Sequence, residues 1–177
     1  PFRMAAPQES ALTDISRLGE FGLIDRITRS FKPQQARTIT PLGDDAAVID
    51  AGNGRVQVIT TDFLLEGVHF DLAYVPLQHL GYKAVAVNLS DVAAMNARPF
   101  GVTVSIALSN RFPVEAVDAL YEGIKLACEK YGADLLGGDT TSSRQGLVIS
   151  ITAFGEVEQQ RLTYRKGAQE RDLICVT

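Results

Sequence analysis

The chain has 177 residues, 46% of them hydrophobic and 21% charged, with a formal net charge of −4. This is the composition of an ordinary globular domain, and the length suits a single domain with a sizeable core, which argues against disordered and fibrous classes. The basic residues are dispersed, so neither nucleic acid nor an anionic membrane is expected as the main partner; a nucleotide stays open, because a bound metal can supply the missing positive charge.

Residues 1–13 lack periodicity and are expected to form a tail outside the fold. From residue 14 to 31, Phe21, Ile24, Ile27 and Phe31 recur at helical spacing, and Lys32-Pro33 closes the segment. A polar loop follows. Residues 46–50 and 56–61 read as two strands joined by the turn-rich Ala51-Gly52-Asn53-Gly54, a hairpin that carries Asp45 at one end and Asp62 at the other. A loop bearing Glu66, Gly67, His69 and Asp71 leads into a helix over residues 76–95. Leu77, Leu80, Ala84, Val87 and Ala94 form its apolar stripe, and its small residues permit close approach to a sheet.

Residues 100–108 alternate strictly between apolar and small or polar side chains, the signature of a strand. Pro113 opens a helix that ends near Gly132, with Val114, Val117, Leu120, Ile124 and Cys128 facing inward. Residues 134–136 predict a short strand, and residues 147–157 a longer one with one buried face and one interface face. A last strand is expected to begin at Asp172 and to be cut inside an apolar segment, as in a piece of a longer protein. The whole reads as one mixed α/β unit of the α+β type, with about four strands and helices on one face.

Cys128 and Cys175 belong to no CxxC pair or Cys/His cluster, which suggests buried thiols in a reducing cytoplasm. No apolar run approaches the roughly 18 residues of a membrane span.

Four acidic clusters carry the chemistry: Gly43-Asp44-Asp45, Thr60-Thr61-Asp62, Asn88-Leu89-Ser90-Asp91 and Gly137-Gly138-Asp139-Thr140-Thr141. Taken singly, each has a structural explanation as a turn, a cap or a solvated helix face. Together, carboxylates without cationic partners repel one another and call for a hard divalent cation, with hydroxyl and glycine neighbours that suit oxygen coordination and close phosphate approach. Asp91 falls late in its helix, where the helix dipole disfavours a carboxylate unless something cationic meets it.

The order and wording of the segments closely resemble the amino-terminal half of thiamine-monophosphate kinases. The resemblance rests on Gly19-Glu20-Phe21-Gly22-Leu23-Ile24, Gly43-Asp44-Asp45-Ala46-Ala47, Thr60-Thr61-Asp62, Glu66-Gly67-Val68-His69-Phe70, Lys83 through Asp91, Leu136 through Thr141, and residues 162–168. A wider superfamily, including aminoimidazole ribonucleotide synthetase, selenophosphate synthetase and a hydrogenase maturation protein, shares the fold and the acidic sites.

The resemblance implies ATP-dependent phosphorylation of thiamine monophosphate to thiamine diphosphate with several magnesium ions. It implies metal ligands at Asp45, Thr60, Thr61, Asp62, Asp91 and Asp139, with Asp44 adjacent to the set. Tyr121, Gly138, Asp139 and Arg165 would contact ATP, and His69 the substrate. A homodimer is implied, its two sheets closing an eight-stranded barrel, as is a cytoplasmic enzyme whose second domain lies outside residues 14–177. The acceptor phosphate has a second pKa near about 6, so it needs no general base, and direct in-line transfer without a phosphoenzyme is expected. The alternatives are a non-catalytic Mg–ATP-binding dimerisation module and a sibling kinase or synthetase of the superfamily.

Overall fold

The computed structural model describes residues 12–175. The expectations for residues 1–11 and for the last two residues of the chain lie outside them. The chain divides into two compact units, Pro1–Gln34 and Gln35–Thr177.

In the first unit a 3-10 turn, Ile15–Arg17, is capped by Asp14, whose side chain accepts the Ser16 N–H at 2.9 Å. The helix α1 spans Gly19–Thr28. It is shorter than the 14–31 periodicity predicts because Gly19, at φ 62°, breaks the chain between the 3-10 turn and the helix proper.

The second unit is built on six strands: β1 Thr38–Thr40, β2 Ala47–Gly52, β3 Arg55–Leu65, β4 Arg98–Leu108, β5 Asp134–Ser142 and β6 Val148–Glu158. Two helices join them, α2 Leu77–Ala94 and α3 Val114–Tyr131. The sheet order is β1-β2-β3-β6-β4-β5, antiparallel throughout except for the parallel β4–β5 pair that α3 connects as a crossover. The β2–β3 hairpin turns on Asn53-Gly54 at φ 54° and 73°, as expected from the sequence.

The fold class is as expected, while the strand count is six rather than about four. β1 is a three-residue Thr-Ile-Thr edge within the stretch read as a polar loop. β5 runs on through Gly137-Gly138-Asp139 to Ser142, because backbone pairing with β4 and not apolar burial holds it in place. The strand expected from Asp172 is absent among the described residues, where 172–175 have no regular structure. Of the two cysteines, both unpaired, Cys128 is buried and Cys175 is exposed, so the expectation of buried thiols holds for one of them.

The core lies between one face of the sheet and the helices. Val56, Val58 and Leu64 of β3, Ile149, Ile151 and Ala153 of β6, and Val102, Val104 and Ile106 of β4 pack beneath Leu80, Ala84, Val85, Leu89 and Val92 of α2. α2 and α3 touch backbone to backbone: a methyl group at Gly81 would overlap the Leu120 carbonyl, and one at Gly123 would overlap the Gln78 carbonyl. The opposite face of the sheet carries Ile59, Thr61, Phe63 and Leu65 of β3 together with Val148, Ser150, Thr152 and Phe154 of β6. Phe63 is 61% exposed there, and the Phe100 and Phe154 rings stack 6.1 Å apart.

Candidate functional site

Strand alternation turns Thr60 and Asp62 to the helix side of β3, where apolar Val58 and Leu64 flank them. α2 passes over this end of the strand and supplies Asp91, whose Oδ2 accepts the Thr60 hydroxyl at 3.0 Å. One turn earlier, the fully buried Asn88 joins the two elements: its amide donates to the Ala84 carbonyl at 3.0 Å, and its oxygen accepts the Asp62 N–H at 3.0 Å. Asp44 and Asp45 immediately precede β2. Asp44 accepts the Asp45 N–H at 3.0 Å and takes the Arg165 N–H between its two oxygens, at 3.0 and 3.2 Å. The Arg165 guanidinium pairs with the Asp45 carboxylate.

Asp45, Asp62 and Asp91 therefore share one electrostatic neighbourhood. Burial pushes the Asp91 carboxyl above its ordinary range, and Asp62 and Asp45 push it further, against the opposing effects of the Thr60 hydrogen bond and Arg165. Arg165 is correspondingly held more firmly protonated, chiefly by its bond to Asp45. Three carboxylates and a hydroxyl are hard oxygen donors of the kind magnesium prefers, and the cation beside them is the Arg165 guanidinium. Among the described residues no three acidic, His or Cys side chains are gathered closely enough to hold a metal as they stand.

The remaining candidates are distributed elsewhere. The Thr61 hydroxyl points to the opposite face of the sheet, donating to the Ile151 carbonyl at 3.1 Å and accepting from Thr152 at 3.1 Å. Asp62, Ile151, Val104 and Gly138 lie in one row across β3, β6, β4 and β5. Gly138 and Asp139 are thus three strand spacings, or about 14 Å, from Asp62, and Asp139, one residue on, faces the other side. Within this chain Asp139 does not join the carboxylate seat; its side chain accepts the Thr140 N–H at 2.9 Å. Tyr121 lines a groove of about 690 Å³ between α3 and the start of β5, with Ile124, Cys128, Ala133 and Leu135, and burial raises its hydroxyl pKa. Arg165, the fourth ATP candidate, sits with Asp44 and Asp45 just before β2, toward the opposite end of the strand order from β5.

His69 is exposed on the loop after β3. Its Nδ1 accepts the Leu65 N–H at 3.0 Å, which leaves Nε2 as the protonated nitrogen of the neutral ring and a donor toward solvent. Lys83 fixes the loop by donating to the His69 carbonyl at 3.1 Å.

Two supports escaped the sequence. Asn88 stands inside a quoted motif, but its burial follows only from how α2 meets β3. Glu66 pairs with Arg111 and accepts the Leu147 N–H at 2.8 Å, tying the His69 loop to the residue that leads into β6, 81 positions on, and no local pattern announces such a bond.

Residues 43–157 match the family model described as AIR synthase related protein, N-terminal domain. The chain belongs to that family. It is 37% identical over 160 residues to the thiamine-monophosphate kinase of Bacillus subtilis, covering 90% of this chain and 49% of that protein. It is 43% identical over 144 residues to that of Rhodopirellula baltica, covering 77% and 45%. A solved structure, AaThiL complexed with AMPPCP and TMP, superposes with a TM-score of 0.79 at 36% identity, over 90% of this chain and 48% of that one. The chain spans about half the length of the curated relatives it matches. No helix among the described residues is long and apolar enough to cross a membrane.

Proposed function

We propose that this chain is the nucleotide- and magnesium-handling half of a thiamine-monophosphate kinase, which transfers the ATP γ-phosphoryl group in line to the phosphate of thiamine monophosphate. The observation that carries this reading is the Asp45, Asp62, Asp91 and Thr60 seat, built where the family motifs fall, in a chain whose relatives bear that name. Magnesium bound there would screen the repulsion between two phosphates and hold the transferring group in position. The chain's own residues do the rest. Asn88 fixes the spacing of Asp62 from α2, Thr60 orients Asp91, and the Glu66–Arg111 pair and Lys83 hold the loop that presents His69 to the acceptor. A phosphate monoester largely ionised near neutral pH requires no general base.

The split of the ATP candidates, Arg165 near β2 against Tyr121, Gly138 and Asp139 at β5, favours a site completed by a second copy. The apolar outer face of the sheet, with Phe63, Phe100 and Phe154, suits the pairing of two sheets. Phe63→Asp should yield a monomer in sedimentation velocity with its circular dichroism unchanged; an unaltered dimer would remove that face from the interface.

Calorimetric titration of this chain with AMPPCP, with and without magnesium, run beside an assay for thiamine diphosphate formation, tests the function. Magnesium-dependent binding that Asp62→Asn abolishes is the expected result. Unchanged nucleotide affinity in a folded Asp62→Asn chain would remove the seat from the nucleotide site. Binding without turnover favours the second reading, a Mg–ATP-binding dimerisation module, which the chain's coverage of only half of its relatives supports.

A further inference from the structure

We propose that Arg165 is the built-in counter-cation of the carboxylate seat, held on Asp45 until a divalent cation displaces it, so that metal entry and release of the guanidinium toward a phosphate are one event. The proposal rests on the metal reading above and adds to it an order of events within this chain.

The main chain and the side chain of Arg165 are held by different partners. Its N–H is fixed by both oxygens of Asp44, and the strand of chain around it is pinned by Thr163 N–H to the Met95 carbonyl at 3.2 Å and by the Asn96 amide to the Arg161 carbonyl at 2.8 Å. Among the described residues the guanidinium itself is tied only to Asp45, and the side chain is 56% exposed. It can therefore swing away on its own torsions while the loop stays docked. Asp45 is the carboxylate that this pairing ties up. Asp62, on the helix side of β3, has no ion-pair partner among the described residues. A cation that drew Asp45 in with Asp62 and Asp91 would take over the oxygen that Arg165 uses, and a guanidinium beside a doubly charged ion is repelled.

The sign of the consequence is opposite to that of an ordinary supporting residue: removing Arg165 should strengthen metal binding. The probe is Mn2+ alone, titrated into EDTA-stripped chain and followed by the paramagnetic signal of the free ion, with no nucleotide and no turnover involved. Arg165→Gln should bind Mn2+ about fivefold or more tightly than the unmodified chain, the size of a modest coupling between two sites, while Arg165→Lys, which keeps the charge, should stay close to it. In an Asp45→Asn background the gain from Arg165→Gln should vanish, because a contact-specific competition ends with the contact, whereas a diffuse change of field would persist. Saturable binding that is unchanged or weakened in Arg165→Gln would overturn the counter-cation role and leave the metal reading standing. No saturable binding by either chain would overturn both.

Discussion

The two places that hold candidate site residues differ in how much of the fold stands behind them. At the β3–α2 junction, Thr60 is 8% exposed and Asn88 fully buried, and each side chain is fixed by a neighbour from another element. At the β5 edge every residue is exposed, and Asp139 bonds only to the next N–H along its own strand. The first is a seat already shaped in one chain. The second is a strip held by backbone pairing on one side alone, whose side chains wait for something to cover them. Geometry that a single sheet can fix is in place, and what needs a partner surface is presented but unmet.

The largest effect should come from breaking the strip. Gly138 has φ 159°, a backbone conformation that residues with a side chain rarely adopt, and an added methyl group would overlap the backbone carbonyl of Val104 on the paired strand, where no flexible side chain can give way. Gly138→Ala should cost about 2–3 kcal/mol and loosen β5 from β4, while the Thr60–Asp91 seat, three strands away, keeps its structure. Denaturant unfolding gives the cost, and hydrogen exchange gives its location. Loss of protection in β3 equal to that in β5 would mean that the two regions are one cooperative unit.

A smaller loss should follow from loosening the seat. Asn88→Ala removes a buried amide and leaves the Asp62 N–H and the Ala84 carbonyl without that partner, at a cost of about 1–3 kcal/mol for the buried groups. Protection should fall at Asp62 and not at Gly138 or Asp139. A variant as stable as the parent would show that water satisfies both groups and that Asn88 is not what spaces α2 from β3.

The same contrast governs what the sequence disclosed. Elements carried by side-chain burial were legible: the alternation expected in residues 100–108 and 147–157 matches two strands, and both long helices were found. Ala94 and Val114, expected on their inner stripes, are nevertheless exposed, because the buried face of α2 runs through Val85, Leu89 and Val92 and α3 becomes buried only from Leu120. Elements carried by backbone pairing alone were not. β1 has one apolar residue in three, and β5 beyond Leu136 has none up to Ser142, so neither shows a pattern. The apolar 173–175 segment gave the opposite error, since apolar content without a neighbour to pair with does not make a strand. In the site, three separate motifs carry Asp45, Asp62 and Asp91, which the fold brings within electrostatic reach of one another. The Thr61 hydroxyl faces away from Thr60 and Asp62 because adjacent strand residues point opposite ways, and the bond of Arg165 to a residue 120 positions earlier left no trace in local spacing.

The mildest perturbation, a change of pH, separates the regions by charge. Asp91 is raised by burial and by the nearby Asp62 and Asp45, so its neutral form is favoured in the folded state more than in the unfolded one. Its contribution to stability is therefore fully present below the unfolded carboxylate pKa and is lost as pH rises through the higher folded value. Metal-free chain should accordingly lose stability between the acidic carboxylate range and neutrality. Asp91→Asn, which keeps an acceptor for the Thr60 hydroxyl and carries no charge, should show a flatter profile and a higher midpoint near neutral pH. The readout is the urea midpoint against pH in EDTA. Parallel profiles for the parent and Asp91→Asn would mean that Arg165 already neutralises the seat, placing the charge balance on that one guanidinium and not on the protonation of Asp91.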